Sequence, residues 1–244
     1  GDHRDLHSFP TRRSSDLKIF LDVTGRNDWS STLPSGNNSF FYPSVSTSFI
    51  LSDLLRLPEQ ISFAKLRASW AQVGNDTDPY KTAKYYNTSA FPGSASVSPT
   101  LYNARFKPEI SNSIEVGLDW RMFKQRFGLD LAFYNNITRN QILDVPMDQT
   151  TGYTKATMNS GKVRNRGIEL QLDGTPVKTK NFTWNSTFTW AKNYNKVLSL
   201  AAGLTDGQTI AYTGGTNCAL IAKVGGSIGD IYGYKLKRAP DGQV

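Results

Sequence analysis

Much of what this chain lacks narrows its chemistry. It has a single cysteine, Cys218, in 244 residues, so no disulfide can close within it. Its two histidines, His3 and His7, both fall at the very start, and residues 18–244 contain none. Histidine-based nucleophilic catalysis and histidine zinc sites are therefore excluded from that part of the chain. No apolar run approaches the roughly 18 residues that a membrane helix needs. Gly152, Gly161 and Gly167 form no nucleotide-binding pattern. The net charge of +8 is scattered, as in Lys65, Arg67, Arg121, Lys124, Lys178 and Lys180, with no basic helix and no RNA-binding signature. Nucleic acid is not an expected partner, and no cofactor is expected.

What is present is alternation. In residues 114–122 the apolar positions Ile114, Val116, Leu118, Trp120 and Met122 are interleaved with Glu115, Gly117, Asp119 and Arg121. A turn around Phe123, Lys124 and Gln125 follows, and the pattern resumes through residues 127–134. Successive side chains of a strand point to opposite faces, so these segments have one oily and one wet face. Their lengths suit a tilted strand crossing a bilayer, about 9–11 residues.

Candidate strands cover 18–25, 40–51, 61–73, 112–122, 126–136, 165–175, 182–192 and 227–237. The spacing places Leu66, Ala68 and Trp70, then Ile168, Leu170 and Leu172, then Phe182, Trp184, Phe188 and Trp190 on the oily face. Lys65, Arg67, Glu169 and Asp173 fall on the wet face. Connections alternate in length: short near 123–125 and 176–181, modest at 52–60, long near 26–39, 74–111, 137–164 and 193–226. Leu54, Leu55 and Leu57 suggest a helical turn in the modest link. Outer-membrane barrels combine tight periplasmic turns with long external loops. The expected fold is all-β: an antiparallel meander forming part of a transmembrane β-barrel. Phe40, Phe41, Tyr42, Trp120, Phe133, Tyr134, Trp184 and Trp190 are the candidate interfacial girdle. Alternation alone also fits a secreted β-sandwich, whose strands likewise have one oily face.

No catalytic residue and no metal ligand is assigned. The same-face pairs Glu115/Asp119 and Glu169/Asp173 could serve glycoside hydrolysis, but a wet barrel wall carries such pairs as cross-strand partners of Lys65, Arg67 and Arg121. Asn75-Asp76-Thr77-Asp78 lacks the glycine and distal glutamate of a calcium loop and reads as an Asx turn. Tyr80, Tyr85, Tyr86, Tyr102 and Tyr153, all in long connections, are the candidate contacts to substrate or partner, because exposed rings stack on sugars or grip peptides.

Several segments, in order, resemble one family. They are Val23-Thr24-Gly25-Arg26-Asn27-Asp28-Trp29-Ser30-Ser31, Phe41-Tyr42-Pro43-Ser44-Val45-Ser46, and Lys65-Leu66-Arg67-Ala68-Ser69-Trp70-Ala71-Gln72-Val73-Gly74-Asn75-Asp76. Lys107-Pro108-Glu109, Ile114-Glu115-Val116-Gly117, Asn159-Ser160-Gly161-Lys162-Val163-Arg164-Asn165-Arg166-Gly167-Ile168-Glu169-Leu170 and Ile228-Gly229-Asp230-Ile231-Tyr232-Gly233-Tyr234 follow. Together they resemble the SusC/RagA family of TonB-linked outer-membrane proteins. The resemblance implies a plugged barrel of the 22-strand type in the cell outer membrane, of which residues 18–244 supply a middle-to-late part, without the plug or the TonB-contacting box. It also implies active import of oligosaccharides or peptides, with a SusD-like surface lipoprotein as a lid, a TonB complex acting through the missing plug, and outer-membrane lipids around the wall. A siderophore or vitamin receptor of the same superfamily, or a secreted adhesin or glycan-binding module, is the alternative. Residues 1–17 show no strand period, resemble a translated sequencing adaptor, and are read as a non-native segment.

Overall fold

The structure, a computed structural model, describes residues 17–88, 90–200, 207–213, 218–235 and 237. Of the segment read as non-native, all but Leu17 lies outside the described residues.

The chain runs through β1 (Ile19–Trp29), β2 (Ser39–Ile50), α1 (Leu51–Leu54), β3 (Ile61–Asn75), β4 (Tyr86–Thr88), β5 (Ala95–Val97), β6 (Thr100–Leu101), β7 (Glu109–Met122) and β8 (Phe127–Arg139). It continues through β9 (Ile142–Pro146), β10 (Lys155–Asn159), β11 (Lys162–Lys178), β12 (Thr183–Ser199), β13 (Gln208–Thr213), β14 (Cys218–Ala222) and β15 (Asp230–Gly233). The dominant element is a seven-stranded antiparallel sheet in the order β1-β2-β3-β7-β8-β11-β12. Every long strand pairs with the next long strand in the chain. No Greek-key crossing occurs in this sheet, which removes the sandwich alternative. The sheet is open, with β1 and β12 at its edges.

Register makes the two faces continuous. Ile19, Phe49, Leu66, Leu118, Leu131, Leu170 and Trp190 stand directly opposite one another and form one apolar row across all seven strands. The row two residues along reads Leu21, Thr47, Ala68, Val116, Phe133, Ile168 and Lys192. Many of these side chains are exposed, including Leu21, Val116, Phe133, Ile168 and Trp190. The intervening row on the other face, Phe20, Ser48, Arg67, Gly117, Ala132, Glu169 and Ala191, is mostly small or charged. An exposed apolar face backed by a polar one is the arrangement of a barrel wall between lipid and lumen.

Three expectations need correction. The strand at 227–237 shrinks to the four residues of β15, which pairs with β14 in a separate three-stranded sheet. The helical turn covers Leu51–Leu54 and excludes Leu55, which is already extended, and Leu57. Three girdle candidates leave the oily face. Tyr134 lies opposite Glu115 and Gly167 on the wet side and its hydroxyl donates to Asn193. Phe40 and Tyr42 share the side of β2 opposite to Phe41, and Tyr42 donates to Asp28. Strand parity overrides aromatic character here: residues two apart share a face whatever their chemistry.

The long connections all leave one end of the sheet, and they carry β4 to β6, β9 and β10, and β13 to β15. Those between β3 and β7 and between β8 and β11 are joined, because β6 pairs with β10 in parallel and β9 completes that sheet. Among the described residues, the long strands are connected at the opposite end by α1 and two tight turns.

Candidate functional site

Two surfaces offer chemistry: the wet face of the sheet and the joined loops above it. On the wet face one device recurs. Arg67 of β3 lies opposite Gly117 of β7, passes over it, and reaches Asp130 of β8 at 2.9 Å. Arg121 of β7 passes over Gly128 of β8 and reaches Asp173 of β11 at 3.3 Å. Tyr134 of β8 passes over Gly167 of β11 and reaches Asn193 of β12 at 3.2 Å. In each case a Cβ on the glycine would collide with the long side chain, so the absent side chain opens the path. Arg67 also approaches Glu115 at 3.7 Å, and Arg121 pairs with Asp119 at 2.9 Å. Thus Glu115, Asp119 and Asp173 serve as partners of arginines. Lys65 stands in register with Asp119. These groups are from about a quarter to nearly half exposed, and such pairs are worth about 1 kcal/mol or less each. Their effect is to hold the charges flat against the wall. A cleft of about 390 Å³ lies among Arg67, Asp130, Glu169, Gln171 and Thr189.

The loop tyrosines are partly assembled. Tyr85 and Tyr102 stack with centroids 5.5 Å apart and rings inclined by 22°, and their hydroxyls are 2.9 Å apart. Ser98 donates to the Tyr102 hydroxyl at 3.3 Å. Ser98, and then Tyr85, hydrogen-bonding to that oxygen hold the Tyr102 phenol below its ordinary value. Lys84 Nζ stands 5.3 Å from the centre of the Tyr153 ring, bringing the two loop excursions together. Tyr80, 80 % exposed with a left-handed φ of 64°, lines an open groove of about 680 Å³ with Tyr85, Pro79 and Thr32. Tyr86 stands exposed on β4 outside that lining.

Polar hubs that the sequence reading missed hold these loops over the sheet. Asn159 Nδ2 donates to the carbonyls of Lys107 and Asn140 at 2.8 Å each, and its Oδ1 accepts from the Lys107 amide at 3.0 Å. Asn37 Nδ2 donates to the carbonyl of Phe106 at 2.9 Å, and the Phe106 side chain is fully buried. Asp76 accepts from the hydroxyls of Ser30 and Thr32, so it tethers the first loop across sequence. Among the described residues, no cluster of histidine, cysteine, aspartate or glutamate could hold a metal ion. The signal for Asn159 and for Asp76 was their place in family-like segments; Asp76 also lay in a run of oxygen-bearing side chains.

Residues 11–241 match the family model for the TonB dependent receptor-like beta-barrel. The chain belongs to that family. TonB-dependent receptor P26 of Formosa agariphila is 34% identical over 192 residues, covering 75% of this chain and 19% of that protein. TonB-dependent receptor SusC of Bacteroides thetaiotaomicron is 26% identical over 207 residues, covering 76% of this chain and 20% of SusC. The RagAB peptide importer in its closed-closed state superposes with a TM-score of 0.76 at 23% identity, covering 86% of this chain and 23% of that chain. The chain thus spans about a fifth of the length of the curated relatives it matches. As part of a TonB-dependent receptor barrel it is an outer-membrane protein, and its open sheet is a stretch of the barrel wall.

Proposed function

We propose that this wall belongs to an active importer of oligosaccharides or peptides, in which a SusD-like lipoprotein closes over the long loops and a TonB complex acts through a plug. The observation that carries the reading is the loop cluster: stacked Tyr85 and Tyr102, with Tyr80 beside an open groove, above a hydrogen-bonded polar wall. Aromatic faces bind sugar faces and apolar side chains, while phenol hydroxyls supply orientation. Sequence similarity to SusC and likeness of fold to the RagAB peptide importer support the same direction. Tyr80, Tyr85, Tyr102 and Tyr153 are the proposed contacts, and Tyr86, exposed on the adjoining strand, belongs to the rim that faces a lid.

The test is uptake in cells expressing the full-length receptor with its neighbouring lipoprotein gene. Replacing Tyr85 and Tyr102 together by alanine should reduce uptake of an oligosaccharide or oligopeptide library by about tenfold or more, since each lost stacking contact is worth about 1 kcal/mol. Barrel level and heat-modifiable migration should stay unchanged. Unaltered uptake by that variant, or uptake of ferric siderophores alone, would overturn the reading.

A further inference from the structure

The short-turn end of the sheet carries an apolar groove beside a group of cations, and neither is used by the importer reading. The groove, of about 560 Å³, lies on the oily face and is lined by Phe123, Phe127, Leu172, Gly174, Pro176 and Phe188. It exists because the register between β11 and β12 slips by one residue between Gly174 and Val177, pushing Thr175 and Pro176 out of the ladder. Gly174 adds no side chain, and a Cβ there would meet nothing nearer than 4.0 Å. The floor is therefore open where an ordinary strand would fill it.

Arg126 lines the groove, and Lys124 directly follows the lining residue Phe123 in the same turn; both are exposed. Among the described residues neither forms an ion pair. Arg126 is fixed by donating to two neutral carbonyls, Thr175 at 3.2 Å and Pro176 at 3.0 Å, which orient the guanidinium without neutralising it. Asp173 lines the groove only with its backbone side, since its carboxylate accepts from Gln171, Thr187 and Arg121 on the wet face. The turn presenting these groups is strained: Phe123, Lys124 and Gln125 have consecutive left-handed φ values of 54°, 55° and 66°. Neighbours impose it. Phe123 N–H donates to the Gln60 carbonyl at 2.7 Å, and Thr175 N–H to the Arg126 carbonyl at 2.8 Å. Such strain persists only where surrounding structure over-determines it, and here it holds an aromatic ring and two cations at the rim of one groove.

Tight turns of outer-membrane barrels lie on the periplasmic side, where the inner leaflet of the bilayer meets water. We propose that this groove is a binding site for an anionic phospholipid of that leaflet, with an acyl chain along Phe127, Leu172 and Phe188 and the phosphate held by Arg126 and Lys124. The charge complementarity decides the occupant: an uncompensated cation group at membrane-surface height next to an apolar slot matches an anionic headgroup on a hydrocarbon chain. The assignment does not depend on which nutrient the receptor carries.

The test uses full-length receptor purified in detergent and titrated with phosphatidylglycerol or phosphatidylcholine of identical chains, with bound lipid read by native mass spectrometry. The wild type should retain phosphatidylglycerol preferentially. Arg126→Gln with Lys124→Gln should lower that preference by about fivefold for each cation removed, as expected for one basic residue at an anionic lipid surface. Ser186→Trp, which fills the groove from β12, should reduce retention of both lipids. Should the double variant not assemble, as judged by heat-modifiable migration, Lys124→Gln alone, which leaves the Arg126 bonds to Thr175 and Pro176 in place, carries the same reading with about a fivefold loss of preference. Equal retention of the two lipids by the wild type, a preference that survives loss of the cations, or capture of lipopolysaccharide in place of phospholipid would overturn the proposal.

Discussion

At the scale of single residues the decisive property is which face a side chain occupies, and adjacent residues differ sharply. Leu118 sits mid-strand in the apolar row between Leu66 and Leu131. Asp119 points the other way and pairs with Arg121 at 2.9 Å. An arginine at position 118 would place a charge against hydrocarbon, costing about 2–4 kcal/mol near the bilayer midplane. Asp119→Ala removes one partly exposed ion pair, about 1 kcal/mol or less. In the full-length receptor, Leu118→Arg should lower the heat-modifiable folded fraction markedly while Asp119→Ala leaves it near wild type. Equal tolerance, or the reverse order, would mean that the two faces are interchanged. Gly117 belongs to the same logic. Gly117→Val should displace Arg67 from its route to Asp130, and the outcome to check is a loss of stability that Arg67→Ala in the same background does not deepen.

At the scale of elements, one carboxylate ties the side chains of the loop hairpin of β9 and β10 together across its backbone ladder. Asp144 accepts from Lys155 Nζ and Thr157 Oγ1, each at 2.6 Å. Burial pushes its carboxyl up, but these bonds and the Lys155 charge outweigh burial and hold it below the ordinary value. A depressed folded value gives stability that is present above the unfolded value and lost as pH falls through the folded one. The hairpin should therefore stay closed at neutral pH and loosen only in acid below the ordinary aspartate range. Hydrogen exchange across residues 142–159 should show that loosening, and Asp144→Asn should loosen the hairpin already at neutral pH. How much of such elements was legible differs by location. Strands crossing the apolar band were readable because lipid on one side and water on the other force a period of two. Their outer ends were not: β12 runs on through Tyr194, Asn195 and Lys196 to Ser199, where Val197 is buried against Val163 and Ala222 beneath the loops and the alternation stops. Most strands of the loops were missed because they are two to six residues long, too short to show a period, and β6 has its partner far away in sequence, Thr100 and Leu101 pairing with Lys155 and Ala156. The loop tyrosines could be named as a set, yet which of them meet depends on Asn159 and the pairing of β6 with β10, contacts that no local pattern encodes.

At the scale of the whole sheet, the apolar face and the open edges act together. Exposed Leu21, Val23, Val116, Phe133, Ile168, Phe188 and Trp190 form one band, far larger than the few hundred Å² of apolar patch that a soluble monomer tolerates. β1 and β12 each leave one side of a long strand without a partner in this sheet. Water penalises both features, and a bilayer relieves only the first, because unpaired backbone groups are costlier in hydrocarbon than in water. Residues 18–244 expressed alone should therefore gain no stable monomeric state in either medium. In water they should associate through the apolar face, and in detergent micelles they should pair edge to edge. Sedimentation in both media is the check: oligomers in buffer, and strand-rich oligomers persisting in micelles where the apolar face is already covered. A sharp monomer in micelles with full strand content would show that the two edges can satisfy themselves without neighbouring strands of the barrel.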